Sequence, residues 1–219
     1  VHSNNVNNFF KDYGLSIVTY RNLNKAVGWN RFMKRTFDLF FCMLALPFAI
    51  IVIIAFSLLI RLDSKGPVFY TQIRVGLDGR YFRVFKLRSM YIDAEKDGEK
   101  FAVKNDPRVT RIGRIMRKAR IDELPQIYNI LKGEMSFIGP RPERPMFTAQ
   151  FETICPGFTK RLMVKPGLTG FAQINGGYTS SPKEKLQYDL YYMEHQSILL
   201  DFKILLKTII ILFNGDGAR

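Results

Sequence analysis

Leu39-Phe40-Phe41-Cys42-Met43-Leu44-Ala45-Leu46-Pro47-Phe48-Ala49-Ile50-Ile51-Val52-Ile53-Ile54-Ala55-Phe56-Ser57-Leu58-Leu59-Ile60 is an apolar run interrupted only by Pro47 and Ser57. About 20 such residues suffice for a helix that spans a bilayer. The run lies too far from the start, and is too long, for the core of a secretory signal. A buried core helix of this length without a polar face is rare. Pro47 falls near the middle, where it removes a helical N–H and crowds the preceding turn, so the sequence predicts a break there. Basic residues flank both sides: Arg31, Lys34 and Arg35 before, Arg61, Lys65 and Arg74 after. A single crossing concentrates Lys and Arg on one side only. The expectation is a Pro-broken, re-entrant membrane helix over 31–66 that returns to the side it left.

Upstream, residues 1–30 open with five asparagines in the first eight positions and read as a linker, or as the remnant of a region that precedes them. Downstream, residues 67–219 read as one catalytic-sized domain on the cytoplasmic side. Val68–Gln72 and Tyr81–Arg88 alternate like strands around a turn at Asp78-Gly79, which predicts a short β-hairpin. From Arg108 to Arg120 six basic residues share helical spacing with Val109, Ile112, Ile115, Met116 and Ala119, giving a basic amphipathic helix suited to headgroups or a diphosphate. Ser181-Pro182-Lys183-Glu184 is a capping box that opens a helix to about His195. Asp201–Phe213 predicts a last, largely apolar helix, in the core or at the membrane interface. The fold class expected is α+β, mainly helical: a compact domain with one hairpin, the re-entrant helix and amphipathic interfacial helices.

The chain has 219 residues and a formal net charge of +14. That excess calls for a polyanionic partner: nucleic acid, anionic lipid or a phosphorylated small molecule. Two cysteines and two histidines exclude a disulfide framework and a zinc cluster. Asp122 and Glu123 stand just before Pro125, at a helix start where free N–H groups favour carboxylates; capping and catalysis are both open at this point. Arg141 lies between Pro140 and Pro142, a pinned guanidinium of the kind that bidentate phosphate recognition uses.

Taken in order, six stretches resemble the monotopic phosphoglycosyl transferase family of bacterial sugar transferases. They are Lys34-Arg35-Thr36-Phe37-Asp38, Phe85-Lys86-Leu87-Arg88-Ser89-Met90, Ile121-Asp122-Glu123-Leu124-Pro125-Gln126, Lys132 to Pro142, Lys165 to Gly170, and Tyr188-Asp189-Leu190-Tyr191-Tyr192. The resemblance covers the chain from about residue 31 onward. It implies transfer of a hexose 1-phosphate from a UDP-sugar to undecaprenyl phosphate, with release of UMP, on the cytoplasmic face of the bacterial inner membrane. It implies a ping-pong route through an aspartyl phospho-sugar, with Asp122 and Glu123 as catalytic pair and as ligands of Mg²⁺. Lys86, Arg88, Arg117 and Arg141 match basic positions of the family motifs and are assigned to the phosphates. Leu46-Pro47 replaces the Ser-Pro that short members often carry at the helix break. Residues 11–30 resemble the linker of long members. The Asn175-Gly176-Gly177 segment resembles members serving capsular or exopolysaccharide assembly, which favours glucose or galactose.

The rival reading is a membrane-tethered basic module that binds nucleic acid or anionic lipid without chemistry. Its aromatics are not interleaved with the basic run, and no helix-turn-helix, zinc or RNA-recognition signature is present. No nucleic-acid partner is therefore expected; a homo-oligomer is compatible with the sequence.

Overall fold

The computed structural model describes residues 24–214, apart from 97, 99, 101, 102, 104 and 177–179, with side chains from 31 to 212. Helix α1 runs from Asn24 to Asp63. It begins inside the stretch assigned above to a linker; residues 1–23 of that stretch lie outside the described residues. Strands β1 (Phe69–Val75) and β2 (Tyr81–Leu87) pair antiparallel, Phe69 opposite Leu87 and Val75 opposite Tyr81. Their turn carries Asp78 and Gly79 at positive φ, 54° and 76°, which is the hairpin chemistry the sequence announces.

Next come α2 (Arg111–Lys118), a 3₁₀ turn over Ile121–Gln126 and α3 (Ile127–Lys132). The basic helix is shorter than expected, because Thr110 caps it by accepting from Gly113 N at 3.0 Å. Strand β3 (Ser136–Ile138) and β4 (Gly167–Thr169) form a small parallel pair that no sequence pattern foretold. Between them lie α4 (Pro145–Ile154) and a 3₁₀ turn over Phe158–Met163. Short α5 (Phe171–Asn175), α6 (Pro182–Glu194) and α7 (Ile198–Asn214) complete the described chain. The Ser181–Glu184 capping box is present.

α1 stays helical across Pro47, so no loop interrupts the chain there. A proline deletes one N–H bond of the ladder and crowds the preceding turn, and the bonds on either side carry the helix through.

From Phe37 to Ile60, one narrow face of α1 lies against the domain. Phe37, Cys42 and Ala49 belong to the main core with Val84, Ile130, Ile138 and Tyr192, while Ile60 joins Leu87 and Met116 in a second cluster. Polar contacts fasten both ends. Near the first end, Arg35 donates to the carbonyls of Ile130 and Leu131 at 2.6 and 2.7 Å, and Asp38 accepts from Ser136 Oγ and Phe137 N at 2.8 and 3.0 Å. Lys34 bridges to Asp201 at 2.6 Å. At the far end Asp63 accepts from Ile112 N at 3.1 Å. The opposite face of α1, with Phe40, Met43, Leu44, Phe48, Ile51, Ile54 and Leu58, is exposed.

Candidate active site

Asn129 braces the site from behind the cavity wall. Fully buried on α3, it accepts from Phe85 N at 3.1 Å and donates to Arg83 O at 2.7 Å and Glu134 Oε2 at 2.8 Å. That clamp sets β2 beside the 3₁₀ turn, and with it Lys86. Arg120, the residue before the turn, takes a left-handed conformation (φ 56°), an uncommon state for a side chain of its size. The resulting corner brings Asp122 and Glu123 in from α2, both only 6% exposed.

The two carboxylates have opposite environments. Lys86 Nζ donates to Glu123 Oε1 at 2.8 Å, Arg141 forms a two-pronged pair with the same carboxylate, and Arg120 stands 3.6 Å away. Burial opposes the charge of Glu123, but Arg141, Lys86 and Arg120 outweigh it and hold its carboxyl well below the ordinary range. Asp122 has no such clamp, and its Oδ1 is buried without a hydrogen-bond partner. Burial raises its pKa; Lys86 pulls the other way, and the charge of Glu123 adds to the rise. One carboxylate is a fixed anion, and its neighbour keeps a bare oxygen.

The pair opens on a cavity of about 810 Å³ whose wall includes Lys86, Arg117, Arg120 and Arg141. Cations outnumber carboxylates around the pair, which suits an anionic ligand such as a diphosphate. Arg117 is oriented by donating from Nε to Ser89 Oγ at 2.9 Å. Arg74 and Glu143 form a neighbouring pair at 3.7 Å in the same wall, and burial lowers the Arg74 pKa to about 10.

The structure thus brings Asp122, Glu123, Lys86, Arg117 and Arg141 together. Arg88 is differently employed: it lines the cavity, but its Nη atoms donate to the carbonyls of Ser64 and Lys65, where they cap the end of α1. Pro47 lies on α1 and contributes no group to the cavity wall. Sequence reasoning missed Gln173 on α5, which lines the cavity with both amide atoms buried and unpartnered. A lone Gln among apolar neighbours gives no sequence signal. Among the described residues no group of three His, Cys, Asp or Glu is arranged to hold a metal.

A family model described as bacterial sugar transferase matches residues 29–215. The chain belongs to that family. It is 44% identical over 191 residues to a UDP-N-acetylgalactosamine-undecaprenyl-phosphate N-acetylgalactosaminephosphotransferase of Aeromonas hydrophila, covering 86% of this chain and 45% of that protein. It is 41% identical over 209 residues to an undecaprenyl-phosphate glucose phosphotransferase of Komagataeibacter xylinus, covering 91% of this chain and 39% of the relative. An exopolysaccharide production protein of Rhizobium leguminosarum is 40% identical over 191 residues, with 81% of this chain and 94% of the other covered. The chain spans less than half the length of the first two. In this chain several of the six motifs hold one another: Asp38 of the first grips Ser136 and Phe137 of the fourth, and Tyr192 of the last donates to Ile138 O of the fourth at 3.3 Å.

Proposed function

We propose that the protein transfers a sugar 1-phosphate from a UDP-sugar to undecaprenyl phosphate, releasing UMP, at the cytoplasmic face of a bacterial inner membrane. The observation that carries this reading is the bare, buried Oδ1 of Asp122 beside a clamped Glu123 in a cationic cavity. A nucleophile that must meet a dianionic diphosphate needs a free lone pair and cations ready to offset the charge. Asp122 supplies the first; Lys86, Arg117, Arg120 and Arg141 supply the second.

In the first half-reaction an Asp122 carboxylate oxygen attacks the sugar-bearing phosphorus. The new Asp–O–P bond forms as the P–O bond to UMP breaks, and the electron pair leaves with UMP. In the second, an oxygen of the lipid phosphate attacks the same phosphorus and Asp122 departs as carboxylate. Glu123 stays charged throughout and keeps Lys86 and Arg141 facing the phosphates.

Mg²⁺ fits the donor set. It favours one or two carboxylates completed by phosphate oxygens and water, and Asp122 Oδ1 is an oxygen without a partner, with Glu123 adjacent. Bound there, the ion would neutralise charge developing on the phosphate oxygens. The relatives' names include glucose and N-acetylgalactosamine transferases, which widens the donor beyond the glucose or galactose expected from sequence. The exopolysaccharide relative supports a role in the first membrane step of such a polymer.

The membrane arrangement follows the two-ended fastening of α1. Asp38 and Asp63 lie roughly 37 Å apart along a straight helix, more than the ~30 Å hydrocarbon core, yet both are bound by the same domain. A helix held this way keeps both ends on the domain's side, which supports a one-leaflet, monotopic attachment through its exposed apolar face.

The test is UMP release by the protein in lipid nanodiscs with undecaprenyl phosphate, Mg²⁺ and a panel of UDP-sugars. We expect release with one sugar above the rest, and a phospho-sugar adduct on the peptide carrying Asp122 when lipid is withheld. Asp122→Asn should lose at least about a thousand-fold in rate, the scale of a lost nucleophile, while remaining folded. Wild-type rates in that variant would remove Asp122 from the role.

A further inference from the structure

The cavity beside Asp122 has a second kind of wall. Leu205, Ile209 and Leu212 of α7 line it at i, i+4 and i+7, a single helical stripe. Ile209 and Leu212 are also 43% and 38% exposed, so the stripe sits at an open rim. A second stripe of the same helix, Leu199, Phe202, Leu206 and Ile210, is exposed. Helix α7 packs against α1, which also has a bare apolar face. Its orientation is fixed: Thr208 Oγ1 and Thr169 Oγ1 are 2.8 Å apart, Lys207 donates to Asn175 at 2.9 Å, and Asp201 is bound to Lys34.

A small phosphorylated ligand would use the cations and leave the apolar stripe wet. A plain hydrocarbon would use the stripe and strand the cations. One ligand class uses both, an amphiphile with a phosphate head and a long chain. We infer that α7 is the track along which the hydrocarbon chain of a lipid phosphate enters the site. The phosphate reaches the cations near Asp122, the first chain units lie on Leu205, Ile209 and Leu212, and the rest of the chain stays in the bilayer beside the outer stripe. The inference rests on the functional reading above and adds where the acceptor binds.

The half-reactions separate the two ideas. In nanodiscs, the double variant Ile209→Gln with Leu212→Gln should keep UMP exchange with the UDP-sugar within about two-fold, since exchange needs no lipid. Its KM for undecaprenyl phosphate should rise about ten-fold or more, the scale of losing two buried aliphatic contacts, with a much smaller rise for a short-chain prenyl phosphate. Ile210→Gln, on the outer stripe, should change the lipid KM less than the double variant does. An unchanged lipid KM in the double variant alongside normal exchange overturns the inference and leaves the functional reading standing. Absence of exchange in the wild type instead removes the functional reading. Photolabelling of the unmodified protein with a diazirine-bearing polyprenyl phosphate is the second measurement. Label on the 198–214 peptide that polyprenyl phosphate competes away, and inorganic phosphate does not, supports the track; label that avoids this peptide overturns it.

Discussion

Asp122 and Glu123 are neighbours in sequence with opposite electrostatic fates, and the difference sets the pH behaviour. Attack requires Asp122 ionised. Without metal, burial and the charge of Glu123 raise the Asp122 pKa above the ordinary 3.8, so its protonated form persists to higher pH, while Glu123 is held below its ordinary 4.5. The charge of Glu123 is one cause of the rise, so in the metal-free protein Glu123→Gln should lower the Asp122 pKa, read by carboxyl NMR titration; an unmoved or raised value would contradict the assignment. Gln173 offers a second single-residue test. Its buried amide has no partner, and removing both unsatisfied atoms at nearly constant shape is neutral or favourable. Gln173→Leu should leave the melting temperature unchanged or higher by a few degrees, read by thermal unfolding in detergent. A clear drop would mean that bound water satisfies the amide.

At the scale of elements, the site depends on how β2, the Ile121–Gln126 turn and α3 are held together, and Asn129 does most of that. Asn129→Ala leaves Phe85 N and Arg83 O buried without their partner and should cost about 2–5 kcal/mol, with a larger fall in kcat than in substrate affinity because Lys86 shifts. Chemical denaturation and steady-state kinetics would check both halves. The same elements show what the sequence could and could not reveal. The hairpin and the Ser181 cap were legible because each rests on local rules: alternation and a capping box. The β3–β4 pair was not, since three-residue strands carry no periodicity and form only because Gly139 and Gly167 allow contact closer than a Cβ permits. At the site, Asp122, Glu123, Lys86, Arg117 and Arg141 stood out as charged residues in stiff motifs. Arg88 carried the same signal, yet its partners are carbonyls 23 and 24 residues away at the end of α1, a contact that only folding creates. At Pro47 the helix continues on either side, so the proline's local penalty is met without a loop.

Across the whole molecule, α1 is at once long and apolar enough to cross a membrane and a wall of the core, since Phe37, Cys42, Ala49 and Ile60 enter two clusters that also hold β2, α2, α3 and α7. Deleting residues 24–66 should therefore abolish cooperative folding as well as membrane binding, measurable as loss of a thermal transition in detergent. A soluble, cooperatively folding remainder would show the helix to be a detachable tether. The two-ended fastening of α1 has an evolutionary side. An anchor joined at one end can be traded between genes by a single crossover, with the enzyme indifferent to its origin. Here the partners of Arg35, Asp38 and Asp63 are scattered from Ile112 to Phe137, so a transplanted helix would arrive without its matching surface. Lineages of this chain are expected to diversify by what they append outside it and to inherit helix and catalyst as one indivisible unit.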